Sequence, residues 1–122
     1  MGPPSGSAET EGRRNQGLIE ISLRSDSEGR LTELQATGHA GLAVKGNDIL
    51  CAAVSALLEN LAAGLSEVVK AAEVRRDGDE LRILIRPEAA TELLCGTTLL
   101  TLKRLQSQHP DRIRIMIQPE LS

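Results

Sequence analysis

The chain has no phenylalanine, tyrosine or tryptophan among its 122 residues. Its core must therefore be built from Leu, Ile, Val and Ala, and the aromatic platforms on which single-stranded nucleic acid stacks are absent. Cysteine is scarce too: Cys51 and Cys95 stand far apart, unlike the disulfide framework of a small secreted domain, and suit a reducing cytosol. Positive charge is short, with 14 Lys and Arg against 17 Asp and Glu and a net charge of −3. The bulk attraction for phosphate is missing, so no direct nucleic-acid contact is expected. No apolar run approaches the length that spans a bilayer, so no membrane partner is expected. The N-terminus lacks the apolar stretch of a secretory signal, which points to a cytoplasmic protein.

What is present divides simply. Residues 1–17, MGPPSGSAETEGRRNQG, hold Gly, Pro, Ser and charge, and cannot bury enough surface to offset their ordering entropy. They read as a flexible tail, and residues 18–122 as a single domain of about 100 residues, enough for one modest core. Leu18 to Arg24 alternates apolar and polar residues as a half-buried strand. Arg30 to Gly38 is a weaker strand and its hairpin partner. A helix begins near Asn47 or Asp48, both good N-cap types, and carries a stripe of Leu50, Val54, Leu57, Leu58, Leu61 and Leu65 until Gly64 weakens or ends it. A third strand is expected within SEVVKAAEVRR. Asp77-Gly78-Asp79 is a hairpin signal, followed by a strand with Leu81, Ile83 and Ile85 inward. Pro87 suits the first turn of a second helix that runs to about Gln106 and is apolar on more than one side. Asp111 to Gln118 closes the chain as a strand with Ile113, Ile115 and Ile117 on its inner face. The order ββαββαβ predicts an α+β fold: a sheet of about five strands with two helices packed on one face. The halves share a pattern, but no residue-level repeat.

Reactive side chains are few, and two of them flank a glycine-rich loop punctuated by Gly38, Gly41 and Gly46. His39 follows the second strand and Cys51 falls in the first turn of the helix. Unpaired N–H groups and the positive end of the helix dipole favour an anion there, and a helix N-terminus lowers a cysteine's pKa. At about 100° per residue, Asp48, Cys51 and Ser55 lie within an arc of roughly 60°, which puts Cys51 at the border of the buried face beside polar company. A strand's end and the next helix's start lie on the same side of a sheet, so His39 could take the thiol proton. The competing readings are a small buried Cys51 and a solvent-exposed His39. Cys95, on the side of Leu99 and Leu102, reads as core filler, and His109 as exposed. No C-x-x-C or H-x-x-x-H spacing supports a zinc site, so neither metal nor cofactor is expected. Arg75, Arg82, Arg86, Arg112 and Arg114 mostly fall on outward strand faces.

The stretch GHAGLAVKGNDILCAAVSAL resembles the signature of the ribosomal-processing cysteine protease family. That pattern runs G-H-A, a short loop, G-x-D-[IV]-x-C-A-[AG]-x-S-A, and is matched by Gly38, His39, Ala40, Gly46, Asp48, Ile49, Cys51, Ala52, Ala53, Ser55 and Ala56. The resemblance implies a cytoplasmic, homodimeric cysteine endopeptidase with a His39–Cys51 dyad. Its implied substrate is the N-terminal peptide extension of a large-subunit ribosomal protein, the one numbered twenty-seven. Asp48 and Ser55 match motif positions that support the site or cap the helix. The family's loop often holds tyrosine, where this chain has Leu42 and Val44, so contacts to the substrate differ. A ribosome-associated binding module without enzymatic activity is the rival reading, and a redox-sensing thiol a third.

Overall fold

The structure, a computed structural model, describes residues 18–38 and 49–119. Along the chain come β1 (Ile19–Ser25), β2 (Leu31–Thr37), α1 (Ile49–Ala63) with a π-helical turn (Gly64–Val68), β3 (Ala72–Asp77), β4 (Glu80–Ile85), α2 (Ala89–Gln108) and β5 (Ile113–Pro119). The five strands form one mixed sheet in the order β3-β4-β2-β1-β5. β1 pairs antiparallel with β2 and parallel with β5, so α2 is the crossover that brings the chain back beside its first strand. This is the expected α+β arrangement of two strand pairs, each followed by a helix, and a final strand.

Alternation builds the sheet's two faces. Ile19, Ile21 and Leu23 of β1 and Leu81, Ile83 and Ile85 of β4 are buried on the face that the helices cover. On the other face, Glu33 pairs with Arg82 at 3.5 Å and Glu20 with Arg114 at 3.3 Å. The second strand, the weaker of the pair in sequence, has its apolar residues out of phase, and the structure gives the reason. The β1 register jumps from Arg24↔Glu33 to Ser25↔Leu31, which leaves Thr32 as an extra residue. This bulge lets Leu31 and Leu34 both reach the core although an odd number of steps separates them. Asp26 closes the β1–β2 turn, accepting from the backbone N–H groups of Arg30 and Glu28 at 2.9 and 3.0 Å. The Arg30 N–H is the main cause that holds its carboxyl below the usual range.

Several expectations change. At Gly64 the regular α-helix gives way, as expected, but not to a break: the chain widens into a π-helical turn, with the Val69 N–H donating to the Gly64 carbonyl at 2.9 Å, and the helical stretch ends at Lys70, whose φ is +61°. A Cβ at Gly64 would lie 3.3 Å from Leu94 Cδ1, so the glycine lets α2 pack close at that point. Ile49–Val68 is thus one helical stretch that is, by length and composition, apolar enough to cross a bilayer, contrary to the reading of its sequence. Its buried Leu50, Val54, Leu58, Leu61 and Leu65 belong to the same core as the sheet, which accounts for that composition. Pro87 lies before the cap of α2 rather than in its first turn. Glu88 is the N-cap, and its N–H donates to Thr91 Oγ1 at 2.9 Å. Ile117 shares its face with buried Leu23, yet is 58% exposed. Burial falls along β5 from Ile113 through Ile115 to Ile117, so the helices' cover ends before the strand does. α2 does carry apolar residues on two sides, since Leu93 and Leu100 are exposed opposite buried Cys95 and Leu102. The tail of residues 1–17 and the cap positions Asn47 and Asp48 lie outside the described residues.

Candidate active site

Cys51 is the third residue of α1, within the first turn, as its spacing from Asp48 predicts. It is not at the border of the buried face but wholly inside it, with 0% exposure, among the side chains that α1 turns toward the sheet. Its Sγ donates to the carbonyl oxygen of Gly38, the residue after β2, at 3.5 Å. The end of the second strand and the start of the first helix therefore do meet, at a thiol and a peptide carbonyl.

Gly38 is held from more than one side. Its φ is +91°, and a Cβ there would stand 2.3 Å from the backbone oxygen of Leu18, so any side chain would force β1 and β2 apart. Its N–H donates to Asp79 Oδ2 at 3.2 Å. Asp79 belongs to the two-residue Gly78–Asp79 turn between β3 and β4, where Gly78 has the positive φ of +63° that such a hairpin needs. The sequence reading took Asp79 as a turn residue only. The signal that finds it is the sheet register: the β2–β4 ladder pairs Gln35 with Arg82 and Ala36 with Leu81, and its continuation sets Gly38 opposite Asp79.

Ser55 lies one turn further along α1 and is half-buried. His39, Gly41, Gly46 and Asp48 lie outside the described residues. Cys95 is buried in the middle of α2, as its apolar neighbours predict. Burial, with a smaller contribution from the nearby Glu92 carboxylate, pushes its thiol up to about 11. Glu92 is fixed by accepting from the Leu31 N–H at 3.0 Å, which ties α2 to the start of β2. His109 is exposed at the C-terminal end of α2. Of the arginines, Arg75 pairs with Glu73 at 2.9 Å, and exposed Arg86 donates to the Lys70 carbonyl at the end of the π-helical turn. Among the described residues, no three His, Cys, Asp or Glu side chains come together as a metal site.

Comparison with known proteins places this geometry in context. The family model described as cysteine protease Prp matches residues 18–114. No curated protein matches the chain. Among solved structures, the ribosomal processing protease Prp from S. aureus, in complex with a covalently linked product peptide, superposes with a TM-score of 0.74 at 23% identity, over 83% of this chain and 100% of that one. The same protease with a substrate peptide gives a TM-score of 0.69 at 21% identity, with 83% and 100% covered. A Streptococcus mutans protein gives 0.72 at 27% identity, with 84% and 99% covered.

Proposed function

Because this chain belongs to the cysteine protease Prp family, we propose that it removes the N-terminal extension of a large-subunit ribosomal protein, the one numbered twenty-seven. The observation that carries the reading is the placement of Cys51 in the first turn of α1, against the Gly38 carbonyl, with His39 the next residue in the chain. In this reading His39 and Cys51 form the catalytic dyad. The S. aureus protease crystallised with a substrate peptide and with a covalently linked product peptide supports an extended peptide as substrate.

The chemistry is acyl transfer. His39 takes the proton from Cys51 Sγ, and the sulfur attacks the scissile carbonyl. The negative oxygen that develops is met by backbone N–H groups of the first turn of α1, which an α-helix leaves without internal partners. As the C–N bond breaks, His39 gives its proton to the departing amine, leaving a thioester on Cys51. Water, deprotonated by His39, then attacks the thioester, releasing a carboxylate and restoring the thiol. Asp48 and Ser55 are the secondary candidates in this reading, for capping the helix or supporting the site. Because Cys51 has no exposed surface, the substrate must displace what covers the sulfur before attack. The reading includes a cytoplasmic homodimer that uses no cofactor or metal and contacts neither nucleic acid nor membrane directly. The acidic net charge supports the exclusion of nucleic acid.

The test is incubation with the source organism's own ribosomal protein carrying its extension, followed by mass spectrometry of the N-terminus. Loss of a defined N-terminal peptide with the wild-type protein, and no loss with Cys51→Ala, is the expected result. An intact substrate under both conditions would leave the non-enzymatic binding module as the reading.

A further inference from the structure

Gly38 is the residue where three parts of the fold converge. Its carbonyl receives the Cys51 thiol at 3.5 Å, its α-carbon is wedged against the Leu18 carbonyl, and its N–H donates to Asp79 Oδ2 at 3.2 Å. The first two constraints come from elements packed in the core. The third comes from an exposed hairpin tip in a different part of the sequence. β2 has stopped at Thr37, and the partner strand β4 begins only at Glu80, so no ladder bond is present at this level. The Asp79 carboxylate supplies in its place an acceptor for the Gly38 N–H.

We infer that Asp79 is a positioning residue for Cys51, acting through Gly38: its carboxylate fixes the N–H on one side of the Gly38 α-carbon, which is itself wedged against Leu18, and the carbonyl on the other side sets where the thiol sits. The inference rests on reading Cys51 as the nucleophile. Gly38 is joined directly to His39 in the sequence, so the residue whose N–H Asp79 holds is also the one that precedes the other proposed dyad member.

Asp79→Ser and Asp79→Asn separate this role from a merely structural one. Serine and asparagine both suit a two-residue hairpin turn after glycine. Only asparagine keeps a side-chain oxygen at the reach of aspartate. The infrared S–H stretching bands of the two thiols are the readout, assigned with Cys51→Ala, and the Cys95 band serves as control for an intact core. In the wild-type protein and in Asp79→Asn, the Cys51 band should lie at the lowered frequency of a hydrogen-bonded thiol. In Asp79→Ser it should move toward the unbonded position while the Cys95 band stays in place. For peptide cleavage, Asp79→Ser should lower kcat about two- to tenfold at unchanged KM, the range to which the net worth of one hydrogen bond converts. A Cys51 band and a kcat in Asp79→Ser that match the wild type would overturn the inference, as would the absence of any Cys51 S–H band in the wild-type protein. Slow exchange of the wild-type Gly38 amide is a further expected result, and fast exchange overturns the inference even if Asp79→Ser fails to fold. A wild-type protein that cleaves nothing would sink the protease reading, while the S–H bands and the amide would still decide the role of Asp79.

Discussion

Cys51 and Cys95 are both buried, at 0% and 2% exposure, and both lie on helices that cover the same face of the sheet. What separates them is where each helix places its sulfur. Cys51 sits in the first turn of α1, at the positive end of the helix dipole and against the carbonyl of a glycine with a left-handed backbone. Cys95 sits in the middle of α2, where the backbone is already bonded within the helix and the nearest charge, Glu92, opposes a thiolate. Burial alone therefore says little about what a cysteine does. A sulfur at a helix start has groups that can stabilise charge, whereas one in a helix middle meets only the cost of desolvation.

The comparison can be broken most sharply by removing each sulfur. Cys51→Ala should reduce peptide cleavage to background with the fold intact, and Cys95→Ala should leave most of it. His39→Ala should match Cys51→Ala, and the double variant should be little worse than either, because residues acting as a unit are not additive. Retained cleavage in Cys51→Ala, measured by mass spectrometry of the product, would end the distinction.

Next in size is the glycine that faces Cys51. Gly38→Ala places a Cβ 2.3 Å from the Leu18 oxygen at a φ of +91°. The combined strain should cost about 2–4 kcal/mol of stability in urea unfolding, with activity lost alongside. An unchanged midpoint would show that the loop start is not constrained as described.

Cys95 makes an alkaline prediction of opposite character. Its thiol is pushed from 9.0 to about 11, so the folded protein holds that proton more tightly than the unfolded chain. Its contribution is fully present below about pH 9 and is lost as pH rises toward 11, an effect of about 2–3 kcal/mol. Urea unfolding at pH 8 and pH 11 should show this loss in the wild-type protein but not in Cys95→Ala. The smallest effect belongs to Glu92→Gln, which removes the nearby negative charge but keeps an acceptor for the Leu31 N–H. The Cys95 titration midpoint should fall by less than burial raised it, because burial is the larger cause. A midpoint restored to that of a free cysteine would assign the shift to charge instead.

Much of this was legible in the residues. Strict alternation in β1 and β4 announced the sheet face, and Gly78–Asp79 announced the hairpin between β3 and β4. What was missed was decided by three-dimensional context. The bulge at Thr32, which sets the phase of β2, and the approach of Leu94, which explains the glycine where α1 turns π-helical, are visible only in the folded chain. The exposure of Ile117 depends on how far the helices reach along β5, which alternation does not encode. At the site, the first-turn position of Cys51 followed from cap-residue spacing, but its depth did not. The hydrogen bond between Gly38 and Asp79 joins positions distant in sequence through the β2–β4 register, and only the paired sheet reveals it.

The most direct measurement of the central claim, that Cys51 is the chemically active thiol, is alkylation of the native protein with iodoacetamide at neutral pH, with the labelled peptides identified by mass spectrometry. The account predicts that Cys51 is labelled well before Cys95, that His39→Ala slows the labelling of Cys51 specifically, and that denaturation brings both thiols to similar rates. Equal labelling of the two in the native protein, or labelling of Cys51 that is indifferent to His39, would contradict it.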